Sequence, residues 1–429
     1  MDILEIIDKK KNGVELSKQE IQFFVDGVCS GLIKDYQTTS FLMAVCLKGM
    51  SFNETFNLTM SMAKSGKILD LSEIGDCVDK HSTGGVSDTT TLIVAPVLAS
   101  LGVKVSKMSG RSLGFTGGTA DKMEVFKGYD TEISTETFKQ LIKQNNASII
   151  SQSSDFALAD KIIYNLRSSS GTVENLSLIA SSIMSKKIAC GAKIIVLDCK
   201  YGSGAFMKTK KDSIKLAKLM VEIGKKAGLK VCAVISSMEQ PLSSYIGNNF
   251  EVFSCLQVLN GEKNDLYKLS CYLCCIALVK SGKCNSLTEA QKLVENNISN
   301  GSALQKLKDI VKAQGGSIEV IENPYLLLKS NNSVDIVANT TGYINKINTA
   351  GIGTVGHNLQ KINGEVKRQD DTGIILSVKL GSYVQAGDKL ATMYYNKLAN
   401  IEDLKTDLLN CFKIGKKSKL QKLIDCVIE

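Results

Sequence analysis

The feature that most restricts how this chain can fold is an alternation. From about residue 76 onward, short apolar runs are separated by glycine-rich breaks and by stretches of helical length. KIIVLDC (Lys193 to Cys199) and KVCAVIS (Lys230 to Ser236) read as β-branched strands, and DSIKLAKLMVEIGKKAG between them reads as a helix. Strand, helix, strand order calls for a mostly parallel sheet flanked by helices. At 429 residues the chain exceeds one domain, so the class is α/β multidomain. Residues 1 to about 66 read as helical, with Ser17 and Glu20 spaced as a capping box and Gly49 and Gly66 where helices would end. DKIIYNLRSSSGTVENLSLIASSIMSKK, over about 160–190, is helical again and interrupts the alternation. In the last hundred residues YINKI, TGIILSVKL and KLATMYY read as strands, with turn signals at Gly342, Gly364, Gly381 and Gly387. These predict a C-terminal α+β domain.

Charge and cysteine content narrow the function classes. The net charge of +9 favours anions, but the lysines are scattered and tryptophan is absent. No basic stripe with interleaved aromatics marks a nucleic-acid partner. Thirteen cysteines, an odd number spread from Cys29 to Cys426, read as free thiols in a reducing cytoplasm. The opening MDILEIIDKKKNGVELSK has acids and lysines where a secretion leader needs an apolar core. The longest apolar run, LSCYLCCIALV (Leu269 to Val279), is too short to span a bilayer, so it is expected as a buried helix and no membrane partner is expected.

The chemistry concentrates in three stretches. DKHSTGGVSDTTT (Asp79 to Thr91) follows a short strand and precedes the apolar helix TLIVAPVLASLG. Its glycines let backbone N–H groups approach a ligand, the helix start adds unsatisfied donors, and Lys80, Ser82, Thr89 and Thr91 add charge and hydroxyls. Together they form an anion cradle of phosphate size. It is not a nucleotide P-loop, because G-x-x-x-x-G-K-[ST] is absent. KMSGRSLGFTGGTADKME (Lys107 to Glu124) repeats the glycine-plus-hydroxyl pattern through Ser109, Gly110, Gly117, Gly118 and Thr119. A capped strand-to-helix turn is the plainer reading of each loop. In the third stretch Ser182 and Lys186 share one helix face, with Arg167 fifteen residues before Ser182. A cation, a hydroxyl and a second cation suit a planar ring with carbonyl oxygens, although a solvated basic helix end fits equally.

Two other patterns carry less. GIGTVG (Gly351 to Gly356), with Asp370 and Asp371 beyond it, matches a dinucleotide fingerprint, but no strong strand leads into it and no βαβ pattern surrounds it. Cys271, Cys274 and Cys275 contain a C-x-x-C without a second pair or a histidine, which reads as buried thiols rather than a metal site. His357 stands alone in its region and reads as structural.

Taken together, these motifs resemble the thymidine and pyrimidine-nucleoside phosphorylase family. DKHSTGGVSDTTT, KMSGRSLGFTGGTADKME, YNLRSSSGTVENLSLIASSIMSKK, DCKYGSGAFMK, KDYQTTSFLMAVCLKGMS and LGSYVQAGDKLATMYY carry the likeness over essentially the whole chain. The resemblance implies a type II nucleoside phosphorylase-like fold. A small all-α domain would combine 1–66 with 159–190, and a phosphate-binding α/β domain 76–150 with 193–325. A C-terminal α+β domain would take 330–429. It implies a homodimer through the α domain and a cleft that closes on phosphate and nucleoside. The implied reaction is reversible phosphorolysis of uridine, thymidine or deoxyuridine to free base and pentose 1-phosphate. Phosphate would be a co-substrate, and no redox cofactor or essential metal would be needed. Motif by motif, phosphate falls to Lys80, Ser82, Thr91, Ser109 and Thr119. The nucleoside falls to His81, Arg167, Ser182 and Lys186, with Tyr164 and Phe206 near the pocket; His81, Arg167 and Lys186 would act on the leaving base. Relatives with lysine where this chain has Lys107 tend to accept ribo- and deoxyribonucleosides alike. The chain departs from the pattern at Ser87, Ser112, Phe115, Ser168 to Ser170 and INGEVKRQDD. Ser254 stands where some relatives place a glutamate that helps hold a monovalent or calcium ion. An anthranilate-type phosphoribosyltransferase, dependent on magnesium, and a non-catalytic nucleoside-binding relative are the alternative readings.

Overall fold

The computed structural model describes residues 1–111, 117–151, 155–360, 371–396, 401–417 and 421–429. Four helices open the chain: α1 (Ile3–Lys11), α2 (Lys18–Ser30), α3 (Asp35–Lys48) and α4 (Phe52–Lys64). The expected capping box starts α2, with the Ser17 N–H donating to Glu20 at 2.8 Å and the Glu20 N–H to the Ser17 hydroxyl at 3.3 Å. Gly49 ends α3 at φ 74°, a conformation that costs an ordinary residue energy.

An alternating region follows. It comprises β1 (Val78–Ser82), α5 (Thr90–Ser100), β2 (Val105–Ser109), α6 (Thr119–Met123), α7 (Thr135–Asn145) and β3 (Ala147–Ser151). The helices α8 (Leu158–Ser170) and α9 (Leu176–Ala189) then interrupt it before β4 (Ile194–Tyr201), α10 (Lys210–Lys226) and β5 (Lys230–Ser237). Ala159, Ile163 and Leu178 from α8 and α9 join Ile21, Phe24, Phe41 and Leu58 in one core, which explains the apolar spacing of both stretches.

The main sheet has the order β13-β5-β4-β1-β2-β3, parallel throughout its first five members by sequence. From β1 the chain steps outward through β2 to β3, then returns to lay β4 on the other side of β1. The direction of winding therefore reverses between β1 and β4. At such a point the connections diverge and open a crevice at the carboxyl ends of the strands. Val78, Ile194 and Val196 face a core shared with α5 and the helices after β5, whereas Ile195 and Leu197 face α9 and α10.

After β5 come β6 (Tyr245–Ile246), α11 (Asn248–Leu259), α12 (Asp265–Lys280), α13 (Leu287–Ser299), α14 (Ser302–Ala313) and α15 (Glu319–Glu322). The cysteine-rich run lies in α12 and is buried, and all thirteen cysteines are free thiols. The C-terminal part holds β7 (Asn332–Val337), β8 (Gly342–Ile347), α16 (Thr349–Leu359), β9 (Gly373–Leu376), β10 (Tyr383–Val384), β11 (Lys389–Tyr395), α17 (Ile401–Asn410), β12 (Phe412–Gly415) and β13 (Ile424–Ile428). No helix among the described residues is long and apolar enough to cross a membrane.

Three expectations need correction. The final strand does not belong to a separate 330–429 unit: β13 pairs antiparallel with β5 and covers that edge of the main sheet, satisfying backbone groups that would otherwise stay open. Conversely, β6, from the middle of the chain, pairs with β9 in the C-terminal sheet. GIGTVG does have a leading strand, β8, but its glycines lie inside α16 rather than in a loop, so no backbone turn is available to wrap a diphosphate. Asp370 lies outside the described residues, as do Ser112, Phe115 and most of INGEVKRQDD.

Candidate active site

Strand β1 divides the chemistry between its two faces. Side chains alternate along a strand, so Lys80 and Ser82 point one way and Asp79 and His81 the other. The register fixes which way: Lys80 lies beside Val196 and Ser82 beside Asp198, on the α5 face, while Asp79 lies beside Ile195 and His81 beside Leu197, on the α9 face. Lys80, His81 and Ser82 are thus strand residues, not loop residues as their glycine-rich context suggests, because β4 pairs with β1 along its full length.

A cleft of about 540 Å³ opens above these strands. Lys80, Ser82, Thr91, Ser109 and Thr119 line it; His81, Lys107, Tyr164, Arg167, Ser182, Lys186 and Phe206 line it too, so every residue assigned from the sequence to phosphate or nucleoside borders one cavity. Its size suits a small polar ligand plus a ring.

On the anion side Lys80 is buried. It donates to the Thr90 hydroxyl and lies 3.8 Å from both Asp88 and Asp198. Lys200 completes an alternating square, 2.8 Å from Asp198 and 3.6 Å from Asp88. Burial lowers the Lys80 ammonium from its ordinary value, although both aspartates oppose this. Burial also works to raise Asp88, but Lys200, Lys80 and the Ser82 and Thr90 hydroxyls outweigh it and hold the carboxylate well below its usual range. Four buried side chains of alternating charge thus pack together beneath the loop. Lys122 of α6 donates to the Asp88 carbonyl at 3.0 Å and pairs with Glu251 of α11 at 2.6 Å, which ties the second loop to the first.

On the other side α8 presents Asp160, Tyr164 and Arg167 at helical spacing. Arg167 is buried and its guanidinium donates to the carbonyls of Thr172 (3.1 Å), Val173 (2.6 Å) and Leu178 (3.0 Å), which shapes the turn into α9. Lys186 donates to Asp160 at 2.5 Å and to the Ser182 hydroxyl at 2.9 Å. Both cations sit near the Tyr164 ring, at 5.9 and 5.7 Å from its centroid. The second Asp160 oxygen is buried with no hydrogen-bond partner among the described residues, leaving one acceptor among the donors.

His81 lies between the two sides. Burial lowers its pKa well below the ordinary imidazole value, and Lys187, Lys107, Lys186 and Lys80 push it further. It is therefore neutral at pH 7: a hydrogen-bond donor rather than a store of an acidic proton. Lys107 is buried against Asp79 at 3.2 Å and donates to the Lys80 carbonyl at 2.6 Å. Burial takes it down to about 8; Asp79 resists, and Lys187 and Lys80 add to the fall.

Sequence reading missed Asp79, Asp88, Asp160, Lys187, Asp198 and Lys200. Asp160 was accessible, since it precedes Tyr164 by four residues and Arg167 by seven on one helix face. Asp79 meets Lys187 across 108 residues, and the Asp88–Lys200 and Lys80–Asp198 contacts join separate elements, so nothing local marked them, although Asp198 and Lys200 stand two apart on β4.

The departures also find places. Ser87, one of the departures from the resembled pattern, adopts a positive φ of 58°. Its hydroxyl contacts the Tyr245 carbonyl and the Ser243 hydroxyl, each at 2.7 Å, which offsets the backbone cost. The hydroxyls of Ser168 and Ser169 fold back on carbonyls of their own helix at 2.7 and 3.1 Å, and neither residue borders the cleft. Ser254 is buried on α11 and its hydroxyl has no partner among the described residues, while the neighbouring acid, Glu251, is taken by Lys122. A cation held by a carboxylate at position 254 does not fit this chain.

Hydroxyl donors with a buried lysine on one side and two cations on the other line one cleft at the switch point of a parallel sheet, an arrangement suited to moving a glycosyl group between an anion and a ring. Comparison with known proteins agrees. Residues 74–304 match the family model described as glycosyl transferase family, a/b domain, and residues 4–66 match its helical bundle domain. Pyrimidine-nucleoside phosphorylase from Bacillus subtilis (strain 168) is 43% identical over 434 residues, covering 100% of both chains. The protein of that name from Geobacillus stearothermophilus is 43% identical over 419 residues, covering 97% of this chain and 96% of its own. The crystal structure of anthranilate phosphoribosyltransferase from Thermus thermophilus superposes with a TM-score of 0.61 at 19% identity, covering 73% of this chain and 99% of that one, a likeness of fold. The chain belongs to the pyrimidine-nucleoside phosphorylase family.

Proposed function

We propose that this chain catalyses reversible phosphorolysis of pyrimidine nucleosides, in nucleoside salvage in the cytoplasm. A phosphate oxygen bonds to C1′ of the sugar as the C1′–N1 bond breaks, and the bonding pair leaves with the base. Lys80, Ser82, Thr91, Ser109 and Thr119 would hold the phosphate dianion through charge-assisted hydrogen bonds. Arg167 and Lys186 would stabilise negative charge developing on the base, since fixed cations in a water-poor site act without reorganisation. His81, as a neutral imidazole, would donate a hydrogen bond to a ring carbonyl. Lys107 would face the sugar and admit both ribose and 2′-deoxyribose.

The observation that carries this reading is the opposition of the two residue sets across one cleft of about 540 Å³. Release of uracil from uridine, with and without phosphate, tests it. Phosphate-dependent release of uracil, with thymidine and deoxyuridine also turned over, is the expected result; no release from any of the three by folded protein overturns it. A run with 5-phosphoribosyl diphosphate and magnesium separates the phosphoribosyltransferase alternative.

A second copy of the chain is the proposed partner. Tyr36, Met43 and Leu47 form one exposed apolar face of α3, with Leu4 of α1 and Leu32 also exposed. Such a face supports pairing through the helical part.

A further inference from the structure

Asp79 has no exposed surface, and its two oxygens go to two different elements. Lys107 of β2 reaches one at 3.2 Å and Lys187 of α9 reaches the other at 2.7 Å. Each ammonium also holds a backbone carbonyl: Lys107 that of Lys80 at 2.6 Å, Lys187 that of Met108 at 3.1 Å. Those carbonyls immediately precede His81 and Ser109, where the two strands meet the cleft. Burying three charges with one net positive is costly, and apolar packing would serve stability better.

Lys187 adjoins Lys186 on α9. A step of one residue turns the side chain by about 100°, so Lys186 meets Asp160 on α8 while Lys187 enters the sheet. The same helix end is where the chain crosses between the helical part and the sheet. There the Leu69 N–H donates to the Ala189 carbonyl at 2.8 Å, and a side chain on Gly191 would strike the Leu69 carbonyl. This junction is tight, and Lys187 is its charged contact with the strands.

We propose that Lys187 is a positioning residue: through Asp79 and the Met108 carbonyl it registers the ring-binding helix on the two anion-binding strands, so that both subsites keep one spacing. This rests on the phosphorolysis reading. Turnover needs the attacking oxygen and C1′ at near-contact distance, and a displacement of about 1 Å can cost roughly 10²-fold in rate. Loss of Lys187 leaves each subsite whole but out of register.

The test uses the full chain with Lys187→Met and Lys187→Arg. In Lys187→Met, kcat is expected to fall roughly 10²-fold, with the KM for phosphate and for uridine changed less than about threefold. Lys187→Arg, which keeps charge and reach, recovers most of the loss. A second readout needs no turnover. The chain has only two histidines, His81 and His357, so imidazole NMR resolves each, with His81→Asn for assignment. Around His81 stand Lys80, Lys107, Lys186 and Lys187, with Asp79 and Asp160 paired to those lysines. In Lys187→Met the His81 titration moves up, by about one unit or more, and that of His357 stays. If Lys187→Met does not fold, Asp79→Asn, of nearly the same shape, must give the same loss of kcat. A kcat within threefold of the parent, or an unmoved His81 titration, overturns the proposal. A parent chain that releases no base overturns the phosphorolysis reading instead, and the histidine titration still reports on Lys187.

Discussion

Arg167 commits N–H donors to three carbonyls and retains two of its five for the cleft. It is at once a wall of the cleft and the strut of the turn between α8 and α9. Lysine cannot replace that fork. Arg167→Lys is expected to lower kcat/KM for uridine by roughly 10²–10³-fold and to lower the urea midpoint, read from progress curves and equilibrium unfolding. Lys107 makes the pH prediction. Its ammonium is held down to about 8, so the free protein loses that charge as pH rises through this value. The profile of kcat/KM, which reports groups of the free enzyme, should fall on the alkaline side near pH 8. Lys107→Arg should keep its own plateau to at least about pH 10, because a guanidinium stays charged. A wild-type plateau running unchanged to pH 10 would remove Lys107 from the substrate's surroundings. The hydroxyls and glycines around these cations were legible in sequence, since a turn that exposes N–H groups needs small residues within a few positions of one another. Their counter-charges were not, because an aspartate gives no local hint of which lysine it will meet.

Short α6 is anchored by Met123 in the main core and by one buried ion pair. Lys122 is buried, meets Glu251 of α11 at 2.6 Å and supports the Asp88 carbonyl at 3.0 Å. Removing one partner strands the other charge, which typically costs about 3–5 kcal/mol. Lys122→Met should therefore lose that much unfolding free energy in urea, and adding Glu251→Gln should return part of it. A single-variant loss below about 1 kcal/mol would mean the pair is solvated. Among elements, the α8–α9 interruption was readable because apolar residues recur at helical spacing. The two-residue β6 and the terminal β13 were not, since β6 is too short to carry periodicity and both pair only where a distant strand offers an open edge.

Across the molecule, the apolar face of α3 sets the expected assembly. Tyr36 and Leu47 are exposed by 70% and 75% on one helix face. The double variant Tyr36→Glu, Leu47→Glu should elute as a monomer in light-scattering chromatography while the parent runs as a dimer. A parent that is monomeric at micromolar concentration would discard this surface. The order of the sheet, with its reversal between β1 and β4, explains why residues from β1, β2, α8 and α9 share one cavity. Alternation of strands and helices announced a parallel sheet, but not the side of β1 on which β4 would lie.

Local composition was enough to specify the helical ends, the two small-residue loops and the side chains that come to line the cleft, because each depends on neighbours within a turn or two of chain. Pairing across long separations was left to folding. Lys187 meets Asp79 over 108 residues, Tyr201 meets Asp425 over 224, and β13 closes the edge of β5. Such contacts depend on which faces are brought together once the core is buried, and burial is also what makes His81 neutral and Lys107 labile near pH 8.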